Sequence, residues 1–187
     1  MTKLGNPPLN IVLIGMPGVG KSTVGVVLAK RLGLSYLDTD ISIQTGESQS
    51  LQEIIARRGI SGFCALEERY ILAIRATGHV IATGGSVIYS PQAMQHLGSG
   101  GVIIYLDLTP ANLKKRLGDL KARGVIIAPG QNIESLYNER HPLYRRYAEI
   151  TVKTDDLSLE QVVEEITASV RGRRKDVGRQ RSEDRKQ

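Results

Sequence analysis

Residues 15 to 22 read Gly15-Met-Pro-Gly18-Val-Gly20-Lys21-Ser22, a complete Gly-x-x-x-x-Gly-Lys-Ser loop that follows directly on the apolar run Asn10-Ile-Val-Leu-Ile14. A loop of this kind wraps a polyphosphate with its own backbone N–H groups, and Gly15, Gly18 and Gly20 leave the turning points bare enough for that approach. Together with Val19 and Thr23 they form the expected nucleotide cradle. Lys21 reaches the terminal phosphates as a point charge, the Ser22 hydroxyl suits a magnesium ion, and the helix that follows turns its positive end toward the anion. A chance glycine-rich turn is the plain alternative, but it would not come with a strand before it and a helix after it.

If the bound triphosphate is used for phosphoryl transfer, the chain must also position an acceptor and surround the transferred group with positive charge. In open parallel sheets ligands sit beyond the carboxyl ends of the strands, so the segments after each apolar run are the places to look. Asp38-Thr39-Asp40 follows one run, Thr83-Gly84-Gly85-Ser86 follows another, and Arg140-His-Pro-Leu-Tyr144 lies late in the chain. Paired acids suit a metal and a polyol, and an arginine suits a planar carboxylate or phosphate. The plain alternative for Asp38 and Asp40 is that they only cap a strand end. Residues 118 to 130 carry a glycine at each end and one in the middle, with Lys121 and Arg123 between them. That composition predicts a mobile lid that closes over the site and excludes water.

The elements that must hold these residues follow from the apolar pattern. Five short apolar runs bounded by turn residues predict strands at about Leu9–Ile14, Ser35–Asp38, His79–Thr83, Val102–Leu108 and Ile150–Lys153. Helical stretches between them predict a parallel sheet covered on both faces. The first helix runs from Lys21 to Leu32 and stops at Gly33. A second covers about Ser50 to Arg58 and ends at Gly59, and a third begins near Gly62. Pro110 suits the first turn of a helix holding Leu113 and Leu117. Pro142 should kink or restart a helix over 134–148. A last helix, Leu159–Val170, places Val162, Val163, Ile166 and Val170 at helical spacing.

The 187 residues are 41% apolar and suffice for one domain with a substantial core. The net charge of +6 is concentrated at one end. Residues 171–187 hold eight basic and three acidic side chains, whereas the other 170 residues hold 17 and 16. The body is therefore no basic nucleic-acid surface, and nucleic acid is not the expected partner. The tail is too poor in apolar residues to order itself and is expected to be disordered. No apolar run approaches the length that spans a bilayer, and the N-terminus lacks the apolar core of a secretion signal. A cytoplasmic monomer without membrane contact is expected; the single cysteine, Cys64, fits a reducing compartment.

The order of these pieces resembles the shikimate kinase family of small phosphate-loop kinases. The matching segments are Gly15–Thr23, Leu37-Asp-Thr-Asp40, Gly62-Phe63 followed by Glu67, Thr83-Gly84-Gly85, Arg116, Arg123 and Arg140-x-Pro-Leu-Tyr144. The resemblance implies a P-loop NTPase fold, a three-layer α/β/α arrangement with a five-stranded parallel sheet and a mobile lid. A kinase domain would span residues 1–170, its lid at about 118–130. The implied cofactors are ATP and Mg2+, the metal held by Ser22 and Asp38. Lys21, Asp38 and Arg123 would be catalytic, and Arg116 would lie along the adenine. Asp40, Gly84, Gly85 and Arg140 would bind the acceptor, Arg140 through its carboxylate. For Arg116 the plain alternative is a solvated helix residue.

Two positions depart from the family pattern. Where the family shows Gly-Phe-Arg, with the arginine as a second clamp on the acceptor carboxylate, this chain has Gly62-Phe63-Cys64; where it shows Gly-Gly-Gly, this chain has Gly84-Gly85-Ser86. Losing a charge-assisted hydrogen bond of roughly 1.5–3 kcal/mol costs about tenfold to a hundredfold in affinity. Arg57, Arg58 or Arg69 could supply the missing charge from a neighbouring turn. The best-supported reaction is phosphorylation of a small hydroxylated molecule, with shikimate to shikimate 3-phosphate the leading expectation. The alternatives are a related kinase acting on another polyol or an amino alcohol, and a non-catalytic ATP-binding switch. An RNA-associated ATPase has only the tail in its favour.

Overall fold

The structure is a computed structural model and describes residues 9–117 and 130–184. Five parallel strands form one sheet in the order β2-β3-β1-β4-β5. They are β1 (Asn10–Ile14), β2 (Ser35–Asp38), β3 (His79–Ala82), β4 (Gly101–Asp107) and β5 (Ile150–Lys153). The central strand β1 is buried at every position and pairs in parallel with β3 through Ile11–Val80 and with β4 through Ile11–Val102. Its run of Ile, Val and Leu without alternation is what burial on both faces demands.

The helices are α1 (Lys21–Leu32), α2 (Thr39–Glu47), α3 (Leu51–Leu72), α4 (Pro91–Gly100), α5 (Pro110–Leu117), α6 (Ile133–Tyr147) and α7 (Leu159–Asp184), with a short 3-10 turn at Val87–Tyr89. They flank the sheet in two groups. In one, α1 packs on α7; in the other, α3, α4 and α6 meet around the 3-10 turn. Gly33 closes α1 in the left-handed region, its N–H bonding the carbonyls of Ala29 and Lys30. A reciprocal Ser50–Glu53 capping box starts α3. Gly59, at φ 69 and ψ 176, interrupts α3 where the sequence predicts a break.

Beside the main core lies a separate small one, built from Ile43 of α2 and Ile54, Phe63 and Leu66 of α3. It holds the α2–α3 pair together independently of the sheet.

Three features differ from the sequence reading. Helix α2 starts directly after its cap, Asp38, and α4 fills the gap after the 3-10 turn; the sequence reading places neither. Helix α6 runs through Pro142 as one element rather than restarting. Helix α7 does not stop at Val170 but continues to Asp184. Between 171 and 184 the sequence holds no proline and five arginines, which favour continuing a helix that a packed one precedes, against two glycines, Gly172 and Gly178, that do not.

Candidate active site

The phosphate loop leaves the buried end of β1 and enters α1. Gly15 has φ 145, and a Cβ there would stand 2.6 Å from the carbonyl oxygen of Leu106, so no other residue fits without moving β4. Gly18 and Gly20 also have positive φ, 78° and 104°, and Gly20 is the N-cap of α1. The first turn of α1 thus opens with backbone N–H groups that no side chain caps. Ser22 and Thr23 are exposed on that turn, while Val19 is buried under it. Lys21 is folded into the loop, where Nζ donates to the carbonyls of Gly15 at 2.8 Å and Met16 at 3.1 Å. Its burial lowers its pKa to about 8, against the opposing pull of Asp40 and Asp38. From α5, Arg116 reaches across and donates to the carbonyl of Val19 at 3.1 Å. Arg116 is exposed and touches the loop through this one hydrogen bond.

Asp38 has two jobs, one for each oxygen. Oδ1 accepts the N–H groups of Asp40 (3.0 Å) and Ile41 (3.3 Å) and caps α2. Oδ2 accepts from Ser22 Oγ at 2.7 Å and from the Tyr36 hydroxyl at 3.0 Å. Capping and site chemistry therefore coexist in one side chain. Ser22 Oγ and Asp38 Oδ2 are hard oxygen donors at the mouth of the loop. Among the described residues no group of three or more His, Cys, Asp or Glu forms a metal cage. One carboxylate and one hydroxyl, with water and phosphate completing the shell, is a donor set that suits magnesium.

On the acceptor side, Gly84 and Gly85 bring the backbone close to charged groups. A Cβ on Gly84 would stand 2.2 Å from Glu67 Oε1 and 2.9 Å from Asp40 Oδ1, and one on Gly85 would stand 3.1 Å from a terminal nitrogen of Arg140. The N–H of Gly84 donates to Thr39 Oγ1 at 3.1 Å, and the Tyr144 hydroxyl donates to the carbonyl of Gly85 at 2.7 Å. Arg140 is 1% exposed; its Nε donates to the Tyr89 hydroxyl at 3.0 Å, and its guanidinium lies 5.2 Å from the centre of that ring. Burial pushes the Asp40 carboxyl up to about 6, with Lys21 opposing. Glu67, 2% exposed, is pushed by burial to about 7 although Ser86 Oγ donates to its Oε2 at 2.7 Å. Lys21 and Glu67 each feel the charges of Asp40 and Arg140 as well as one another's, so the loop lies within electrostatic reach of the Gly84 side.

The sequence reading lists Glu67 only within the family pattern and Ser86 only as a departure from it, without their contact, and does not find Tyr36 or Tyr89 as parts of the site. The Ser86 and Tyr89 contacts follow no local spacing, whereas Tyr36 stands two residues before Asp38 on the same face of β2. Cys64 lies one turn before Glu67 on α3, and both Glu67 and Arg140 influence it. Two of the arginines offered as replacements for a clamp are engaged elsewhere. Arg58 and Arg69 pair with Glu47, at 2.6 and 3.0 Å, and Arg57 is exposed. Arg123, with residues 118–129 of the expected lid, lies outside the described residues.

A phosphate loop on the central strand of a parallel sheet, facing a pocket of acids, glycines and a buried arginine, defines a small-molecule kinase of the P-loop class. Residues 17–171 match the model of the family described as Shikimate kinase, and the chain belongs to that family. It is similar to the shikimate kinase of Caldanaerobacter subterraneus subsp. tengcongensis, 36% identical over 160 residues that cover 84% of this chain and 93% of the relative. Among solved structures it is similar to the shikimate kinase of Acinetobacter baumannii in complex with shikimate (TM-score 0.82, 28% identity, 89% of this chain and 94% of that one). The shikimate kinase of Aquifex aeolicus superposes with a TM-score of 0.76 at 32% identity, covering 88% and 98%. The protein is an ATP- and magnesium-dependent phosphotransferase acting on a small molecule.

Proposed function

We propose that this chain transfers the terminal phosphoryl group of ATP to a hydroxyl of shikimate, giving shikimate 3-phosphate. The observation that carries the reading is the joining of Lys21, Asp38, Asp40 and Arg140 in one charge-coupled site, in a chain similar to a shikimate kinase solved with shikimate. Arg140, held by Tyr89, pairs with the acceptor carboxylate. Asp40, beside the bare backbone of Gly84, accepts hydrogen bonds from acceptor hydroxyls and turns the reactive one toward the loop. Lys21 leaves its loop carbonyls to neutralise charge on the transferred group, and Arg123 adds to that charge. Bound magnesium would supply charge neutralisation on the phosphates, and Ser22 and Asp38 Oδ2 are the residues that would hold it. Arg116 steadies the nucleotide from α5.

A monomer is the working form proposed here. Among the described residues no helix is long and apolar enough to cross a membrane; the cytoplasm is the proposed location. One observation favours a second reading, another polyol or an amino alcohol as acceptor: beside Glu67 the chain places Cys64, which brings no positive charge to the pocket. The test is ADP release with ATP, magnesium and shikimate, run beside a panel of polyols and amino alcohols. Saturable turnover of shikimate at the highest kcat/KM of the panel supports the first reading; preference for an acceptor without a carboxylate supports the second.

A further inference from the structure

The Glu67 carboxyl is fastened at one oxygen and idle at the other. Oε2 accepts from Ser86 Oγ at 2.7 Å, whereas Oε1 is buried and has no hydrogen-bond partner among the described residues. The groups that face it are Lys21 from α1, Asp40 from α2, Cys64 from its own helix, and Arg140 and Tyr144 from α6. The two cations are already engaged: Lys21 with the loop carbonyls and Arg140 with Tyr89. An acceptor carboxylate entering beside Arg140 adds a further negative charge to a buried pocket that already holds two acids. A buried anion without a dedicated partner is relieved most readily by taking up a proton.

Resting on shikimate as the acceptor, we propose that Glu67 is the specificity-determining residue of the acceptor site: it holds a proton on Oε1 while a carboxylate acceptor sits on Arg140, presenting a neutral wall where an ionised one would repel. Ser86 is a positioning residue that keeps the carboxyl aimed at Gly84, and Cys64 leaves the wall without a fixed cation. The proton comes from solvent as the acceptor binds. Acceptor binding therefore weakens as pH rises through about 7, where Glu67 ionises in the empty site. The loss approaches tenfold per pH unit above that point.

The experiment is calorimetric titration of the full chain, loaded with ADP and magnesium, with shikimate in buffers of different ionisation enthalpy at pH 6 to 9, alongside KM against pH. The expected result is net proton uptake on binding near pH 7 to 8 and a KM that climbs with pH. In Glu67→Gln both effects disappear and KM stays flat. Ser86→Ala, which removes the hydrogen bond to the ionised carboxylate, moves the rise in KM to higher pH. Cys64→Arg, which supplies a cation at the wall, lowers KM about tenfold or more and removes the proton uptake. Shikimate binding without proton uptake and with a flat KM in the natural protein overturns the proposal and leaves shikimate as the acceptor. Nucleotide binding with no shikimate binding at any pH overturns both.

Discussion

Ser22 Oγ stands 2.7 Å from Asp38 Oδ2, tying the first turn of the phosphate-loop helix to the carboxyl end of the neighbouring outer strand. Because Asp38 Oδ1 also caps α2, this carboxylate joins the nucleotide side to the helix that begins the acceptor side.

The two oxygens of Asp38 can be separated by substitution. Asp38→Asn keeps a side chain able to cap α2 but loses the charge, so kcat should fall by about 10²-fold or more with Tm nearly unchanged. Asp38→Ala should lose the same activity and also about 1 kcal/mol of stability, a fall of roughly 2–4 °C in Tm. Steady-state kinetics and thermal unfolding check the pair; equal Tm values for the two variants would remove the cap from the account.

Lys21→Met should abolish most turnover, by about 10²–10³-fold in kcat, because the charge on the transferred group loses its nearest fixed cation. The same variant should be more stable than the natural protein in the absence of nucleotide. Burial lowers the Lys21 pKa from 10.5 to about 8, so the folded state bears the cost of a charged buried amine below pH 8 and is relieved of it as pH rises toward 10.5. Denaturant unfolding at pH 7 and pH 10 should show the gain at pH 7 and a smaller one at pH 10.

Gly84→Ala places a methyl 2.2 Å from Glu67 Oε1 and 2.9 Å from Asp40 Oδ1. Overpacking of this kind costs about 1–3 kcal/mol, and it moves the two acids that face the acceptor. The expected outcome is a rise in acceptor KM of at least tenfold, with nucleotide affinity changed less than twofold, read by KM for shikimate and by fluorescent-nucleotide titration.

Glu67→Gln should change stability in a pH-dependent way. The folded-state pKa of Glu67 is raised from 4.5 to about 7, so the penalty for an ionised buried carboxyl is absent below pH 4.5, grows between pH 4.5 and 7, and is constant above 7. At pH 8 the variant should be more stable by up to about 3 kcal/mol; near pH 5 the advantage should shrink to a fraction of that. Chemical unfolding at the two pH values measures the difference, and equal gains at both would contradict the assignment.

Arg140→Met removes the buried guanidinium that Tyr89 holds. Shikimate KM should rise about tenfold to a hundredfold, the worth of one charge-assisted hydrogen bond, with a much smaller change in the KM for ATP. A loss of ATP affinity as large as the loss of shikimate affinity would show that Arg140 serves the nucleotide instead.

Much of the nucleotide side is legible in the sequence because its chemistry is local. Backbone N–H groups, one lysine and one serine must be consecutive to wrap a phosphate, and the flanking strand and helix show in the apolar run of β1 and the stop at Gly33. The acceptor side is assembled from positions far apart in the chain, so the residues that support it are not legible. Ser86 reaches Glu67 across 19 positions and Arg140 reaches Tyr89 across 51, and neither spacing leaves a pattern to read. Helix α2 is hidden for another reason: its cap, Asp38, also belongs to the Asp38-Thr39-Asp40 cluster, which reads as chemistry before it reads as a helix start.

The small core of Ile43, Ile54, Phe63 and Leu66 underlies the α2–α3 pair that carries Asp40, Cys64 and Glu67, apart from the core beneath the phosphate loop. A substitution that strains this cluster has few routes into the sheet, whereas one under β1 disturbs everything. Over evolutionary time such a division lets a lineage revise what it phosphorylates while the means of phosphorylation stays in place.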